Sequence, residues 1–186
     1  MRIKHSQVVN KILKNTKKDK NVIYGAQSIK KQIGKWGRPT FDFDIMSKSA
    51  KKSAENIEKD LDKLKGKNVF YTKNWRAGRR HVNSVYWSGK DEIPNTKDDL
   101  QLADVTSLLP KTKKIQIEGV TYRQLVQELE YKFSTLKDVK KKRRWEKDRR
   151  DIIRIRKYFR NLGYNIEYNE KTGKVKLVSL NSLKFM

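Results

Sequence analysis

Asp42 and Asp44 stand two residues apart in Phe41-Asp42-Phe43-Asp44-Ile45, and they are the side chains best placed to do chemistry. The pentapeptide alternates, so an extended backbone sends Phe41, Phe43 and Ile45 to one face and both aspartates to the other. Carboxylates roughly 7 Å apart repel by roughly 2–3 kcal/mol at an effective dielectric near 20. A protein can solvate such a pair, protonate one member, or bridge them with a divalent cation. Oxygen-only ligands facing phosphates suit Mg²⁺ or Mn²⁺. The plain alternative is the solvated face of an edge strand, where an Asp-x-Asp is inert. The two histidines, His5 and His81, lie far apart in sequence and read as surface or packing residues.

The segment before the aspartates adds a second function. Val22-Ile23-Tyr24 reads as a short strand, Gly25 follows at once, and Ala26, Ile29 and Ile33 mark one face of a helix. A glycine at a helix entrance lets a phosphate approach backbone N–H groups, and the helix N-terminus favours negative charge. A strand, a glycine, a helix and a strand bearing paired aspartates can therefore form a triphosphate cradle beside a metal site. No Walker loop and no Gly-x-Gly-x-x-Gly occurs.

Other elements must hold these pieces. Val8, Val9, Ile12 and Leu13 predict a first helix over about 6–16, and Ala50, Ala54, Ile57, Leu61 and Leu64 predict another over about 48–65. Strands are expected at 69–71, about 79–88 and 100–109, and a tight hairpin turns at Glu118-Gly119. Helices over about 123–136 and 138–161 follow, with Trp145 on the core face, and a hairpin pairs 165–168 with 174–178. The order α-β-α-β-α-β-β-β-α-α predicts an α+β fold, a mixed sheet flanked by helices with a helical C-terminal part and a short terminal hairpin. The expected division is a catalytic core over 1–122 and a helical part over 123–186, packed on the core as one compact unit.

The chain has 186 residues, with 46 basic and 21 acidic side chains and a formal net charge of +25. Self-repulsion of that size is a liability that a polyanion relieves through counterion release, so nucleic acid is the expected partner. Abundant Lys from a biased coding composition explains part of the lysine, but less readily the excess of base over acid. Hydrophobic residues at 35% and aromatics at 10% exclude a disordered polybasic tail. With no cysteine, disulfides, iron–sulfur clusters, zinc ribbons and thiol nucleophiles are excluded. No run approaches the roughly 18 apolar residues of a membrane span, and the start lacks a secretory core, so an intracellular, cytoplasmic protein without membrane partners is expected.

Ile23-Tyr24-Gly25-Ala26-Gln27 followed by Asp42-Phe43-Asp44-Ile45 resembles the signature of the DNA polymerase β-like nucleotidyltransferase superfamily. Within it the chain is similar to small viral and archaeal poly(A) polymerase catalytic subunit-like proteins and to abortive-infection nucleotidyltransferase toxins. The resemblance covers roughly residues 20–155. It implies transfer of a nucleoside monophosphate from NTP with two ions of Mg²⁺ or Mn²⁺, and a third carboxylate on a later apolar strand. Asp104, in Leu102-Ala103-Asp104-Val105-Thr106, is the best match; Leu100, Leu102, Asp104 and Thr106 share a face if that segment is extended. Asp98 and Asp99 read as solvated loop residues. By this resemblance Asp42 and Asp44 bridge the metals, and Asp104 completes the site that activates the attacking hydroxyl. Gly25 and Ala26 face the phosphates, with Ala26 replacing the usual second Gly or Ser and leaving only backbone donors. Lys132 corresponds to a lysine that reaches the triphosphate, and Asp148 and Asp151 to an Asp-x-x-Asp on the next helix; a solvated charged face is the ordinary alternative.

Two basic runs suit a single-stranded acceptor. Lys140, Lys141, Lys142, Arg143 and Arg144 precede Trp145, while Arg76, Arg79 and Arg80 follow Trp75. Such residues hold phosphates without reading sequence, and a Trp among arginines can stack on bases or simply pack inward. The implied reaction is template-independent addition at an RNA 3′ end. The alternatives are a toxin-type transferase modifying tRNA or a protein hydroxyl, and a non-catalytic nucleic-acid-binding subunit. A protein partner or a homodimer would supply processivity.

Overall fold

Strand-forming residues meet their partners in a mixed sheet of seven strands. The structure, a computed structural model, describes residues 4–78 and 80–180. Helix α1 (His5–Lys18) leads into β1 (Val22–Tyr24), α2 (Gly25–Ile33), a 3-10 turn (Gly34–Trp36), β2 (Phe43–Ser47) and α3 (Ala50–Lys65). Then come β3 (Phe70–Ala77), β4 (Arg80–Trp87), β5 (Leu100–Ser107), β6 (Lys114–Ile117) and β7 (Val120–Arg123). The chain ends through α4 (Leu125–Lys137), a 3-10 segment (Val139–Arg144), α5 (Trp145–Asn161), β8 (Tyr164–Asn169) and β9 (Lys174–Ser179). No helix among the described residues is long and apolar enough to cross a membrane.

The chain forms two compact units: residues up to Gln27 with Thr40–Tyr122, and Ser28–Pro39 with the residues from Arg123 onward. In the first, the strand order is β3-β4-β5-β2-β1-β7-β6. The β2–β5 and β1–β7 pairs are parallel, and β1–β2, β3–β4 and β4–β5 are antiparallel. Ile23, Phe43, Ile45, Val85, Ala103 and Val105 pack with Ile12 of α1 and with Ala54, Ile57 and Leu61 of α3. The pleat sends the alternate residues of the central strands to the opposite face. In the second unit, Leu125 and Leu129 of α4 and Ile152, Ile155 and Phe159 of α5 form a core with Ile29, Ile33 and Ile166. The antiparallel β8–β9 hairpin belongs to this unit.

Three segments depart from the periodicity. The strand expected at 69–71 runs on to Ala77 as β3 because β4 pairs with it along its whole length. The aspartate strand starts at Phe43, not Phe41, because the pairing with β1 begins at Tyr24↔Asp44 and that with β5 at Phe43↔Ala103. Phe41, left outside the ladder, is 66% exposed and meets His5 edge-on at 5.4 Å. The helix expected over 138–161 begins at Trp145, after a 3-10 segment in which Lys141 has φ −102° and ψ 15°. Five consecutive cations repel along a regular helix. Trp145 fixes the break by donating its indole N–H to the carbonyls of Thr135 (3.1 Å) and Asp138 (3.3 Å) at the end of α4.

Candidate active site

Asp44 and Asp104 are direct register partners on the adjacent parallel strands β2 and β5. Register neighbours share a sheet face about 4.8 Å apart, so the pleat holds these carboxylates side by side. Tyr24 lies beyond Asp44 in the same row, and Ser84 beyond Asp104. The opposite face is apolar and covered, as described, so the row puts the polar residues of the central strands together. Asp42 precedes β2 and is positioned differently: the Thr40 hydroxyl donates to its Oδ1 at 2.6 Å. The pleat therefore sets Asp44, whereas the Thr40 hydroxyl orients Asp42.

Asp104 is half-buried, and a network of neutral groups orients it. The Ser84 hydroxyl donates to its Oδ1, and the Trp75 indole N–H donates to Ser84 Oγ at 2.7 Å. Gln101 also hydrogen-bonds the carboxylate and accepts from the Tyr86 hydroxyl at 3.3 Å. The shared face expected for Leu100, Leu102, Asp104 and Thr106 is interrupted here. The ladder with β4 steps from Val85↔Ala103 to Tyr86↔Gln101, so Leu102 is the extra residue of a bulge. The bulge sends Leu102 into the core beside Ala103 and leaves Gln101 bonded to Asp104. Burial raises the proton affinity of Asp104 above that of an ordinary aspartate; Ser84 and Gln101 oppose this, and the negative charge of Asp42 adds to it.

Gly25 opens α2 directly after β1 with φ +69°. A Cβ there would collide with Oδ2 of Asp44 and lie 3.1 Å from its Cγ, so only glycine allows the helix start to reach the carboxylate this closely. Ala26, the next residue, is 5% exposed, its methyl in the interior. Gly25 and Ala26 therefore offer only backbone donors.

The other expected site residues fall in separate places. In the helical unit, Lys132 of α4 sits between two aspartates of α5, with Nζ 2.9 Å from Asp148 Oδ1 and 2.7 Å from Asp151 Oδ2. All three are buried, and Arg38 (3.4 Å) and Arg154 (3.5 Å) also reach Asp151. Lys140, Lys142, Arg143 and Arg144 are exposed, whereas Lys141 is half-buried with its ammonium 3.1 Å from Asp138. Arg76 and Arg80 are exposed at the end of the β3–β4 ribbon; Arg79 lies outside the described residues. Asp98 and Asp99 are working parts of their loop, accepting hydrogen bonds from the backbone N–H groups of Lys90, Asn95 and Thr96 and from the Tyr71 hydroxyl.

Thr40, Ser84 and Gln101 were not evident as site residues in the sequence. Ser84, in the middle of a strand of good β-formers, was the only local signal. Among the described residues, no group of three or more His, Cys, Asp and Glu side chains stands gathered to hold a metal ion. The donor set at this place is nonetheless all carboxylate oxygen, and Asp104 experiences the charge of Asp42. Hard, mutually repelling oxygen ligands of this kind fit a divalent cation.

No protein-family model and no curated protein matches the chain. Among solved structures, it is similar to the Megavirus polyadenylate synthase, with a TM-score of 0.65 and 16% identity over 89% of this chain. The chain spans 32% of the length of that protein. It is also similar to JHP933 from Helicobacter pylori, with a TM-score of 0.55 and 13% identity over 86% of this chain and 72% of that one. The fold is nucleotidyltransferase-like.

Proposed function

We propose that the chain transfers a nucleoside monophosphate from an NTP to a nucleic-acid acceptor, adding it without a template to an RNA 3′ end. The observation that carries this reading is the Asp44–Asp104 register pair, with the Gly25 helix start closed against Asp44, in a fold shared with a polyadenylate synthase. Asp42, Asp44 and Asp104 would hold Mg²⁺ or Mn²⁺. Bound there, two such ions would supply positive charge to the attacking oxygen and to the departing pyrophosphate.

The chain's own residues have separable roles. The backbone N–H groups at Gly25 and Ala26 bind phosphate oxygens at the start of α2. Asp104 faces the acceptor hydroxyl and takes its proton as the oxygen–phosphorus bond forms and the bond to pyrophosphate breaks. An aspartate whose burial raises its proton affinity is suited to that task. Ser84 and Gln101 fix its orientation. Lys132, Asp148 and Asp151, which the resemblance sets against the nucleotide, are buried together in one ion group of the helical unit, and their role in this reading is to hold α4 to α5. Arg76, Arg80, Lys140, Lys142, Arg143 and Arg144 are the exposed candidates for the acceptor's phosphates.

The test is incubation with each labelled NTP, Mg²⁺ or Mn²⁺ and an end-labelled single-stranded RNA, beside the Asp42→Asn/Asp44→Asn variant. Stepwise lengthening is expected from the native chain, and a loss of at least about a thousandfold from the variant, the scale of removing charge stabilisation at a reacting phosphate. Equal lengthening by both would refute the metal assignment. Retardation of the RNA with no lengthening under any condition would favour a binding subunit.

A further inference from the structure

Among the tryptophans, Trp75 is the exposed one. Trp36 and Trp87 pack against the two cores, and Trp145 closes the end of α4. Trp75 keeps 41% of its surface open on the outermost strand of the sheet. A large aromatic group left partly open to water has a use or a cost, and here its position is fixed. Its indole N–H donates to Ser84 Oγ at 2.7 Å, and the same serine donates to Asp104. With the N–H engaged by Ser84, what the open part of the side chain can offer a ligand is its apolar ring.

The pleat specifies the neighbours. Trp75 pairs with Val82 and Ala77 with Arg80, so Arg80 falls on the face of the ribbon that carries Trp75, Ser84 and Asp104. Arg76 pairs with His81 and falls on the other face. One face therefore carries, in order from the ribbon's end inward, an exposed guanidinium, an exposed ring and a carboxylate bonded through one hydroxyl to that ring. These are the chemical means for a phosphate contact, a stacking surface and a proton acceptor on one face.

We propose that Trp75 stacks on the 3′-terminal base of a single-stranded RNA acceptor, with Ser84 holding the ring at a fixed position relative to Asp104 and Arg80 contacting the phosphate behind that base. The proposal rests on the transfer reading for the identity of the strand's end. The stacking itself depends only on the ring, its anchor and its exposure. Aromatic stacking tolerates every base, which suits an enzyme whose acceptor end changes with each addition.

The experiment measures binding of a labelled single-stranded oligoribonucleotide by fluorescence anisotropy. It compares the native chain with Trp75→Ala, Trp75→Leu and Trp75→Phe. Trp75→Ala and Trp75→Leu are expected to weaken binding roughly five- to hundredfold, the range for one stacked base. Trp75→Phe should retain most of the affinity. A blunt RNA duplex, which has no unpaired end, should bind all of them alike. Trp75→Leu keeps apolar volume without a π face, so native affinity in that variant, with loss in Trp75→Ala, would assign Trp75 to packing and overturn the proposal. Unchanged binding in Trp75→Ala would overturn it directly. Failure of the transfer reading appears separately, as absence of lengthening while the Trp75-dependent preference for single strands remains.

Discussion

Two sets of aspartates in this molecule are removed from water in opposite ways. On α5, Asp148 and Asp151 are 0% and 1% exposed, and Lys132 lies between them at 2.9 and 2.7 Å. Their negative charge is met by cations of the same unit, Lys132 with Arg38 and Arg154. On the sheet, Asp104 is held by a serine and a glutamine, which are neutral, and feels another carboxylate, Asp42. Its charge raises the cost of burial with no side-chain cation answering it among the described residues. A closed set of charges is a fixture of packing, whereas an open one needs a counter-charge from outside. On the proposed reading, the difference separates a group that holds helices together from one that recruits a cation and a phosphate.

The largest test of that contrast is Lys132→Met. Removing one member of a buried ion group strands the others, which costs about 3–5 kcal/mol. The expected outcome is a fall of that size in unfolding free energy, read by urea denaturation. Loss of nucleotide binding with native stability would reverse the contrast and move Lys132 to the triphosphate, as its resemblance to the toxin-like lysine implies.

Gly25→Ala strikes the other set through backbone geometry. A left-handed conformation costs an alanine about 1–2 kcal/mol, and here the added methyl must also displace the Asp44 carboxylate. Stability should fall by about that amount, and lengthening of RNA by about tenfold, the equivalent of a further 1.4 kcal/mol in the barrier. A variant that is less stable yet transfers at the native rate would show that Asp44 tolerates relocation, and would detach the helix start from the site.

How far the sequence announced these two sets follows from what each depends on. Asp44, Gly25 and β1 were legible because a short strand, a glycine and an alternating segment are local signals. Asp104 was legible for a related reason, as a charge inside an apolar run. Its face was not, because the Leu102 bulge arises from how β5 meets β4 and leaves no mark on β5 itself. Alternation continues to Phe41 and so extends the apparent strand over Asp42, yet strands begin where partners begin, and no partner faces Asp42 in the ladder. Ser84 and Gln101 come together through pairing across distant segments. The exposure of Trp75 is likewise a tertiary property: the same sequence allowed an inward ring.

The smallest expected effect is also the one that asks the open set what it lacks. A ligand that binds only the folded state stabilises it by RT ln(1 + [L]/Kd), about 1.4 kcal/mol at ten times Kd. Adding Mg²⁺ or Mn²⁺ to chelator-treated protein should therefore raise the unfolding midpoint of the native chain by an amount that grows with the logarithm of concentration. Asp104→Asn removes a buried charge and its repulsion from Asp42, so without metal it should be at least as stable as the native chain. It should also lose the response to added cation. A variant altered on the exposed face of α5, such as Arg149→Ala, should keep that response in full, because the carboxylates of α5 are already answered. Equal stabilisation of the native chain and Asp104→Asn would mean that the cation binds elsewhere, and the contrast between closed and open charge would no longer mark the site.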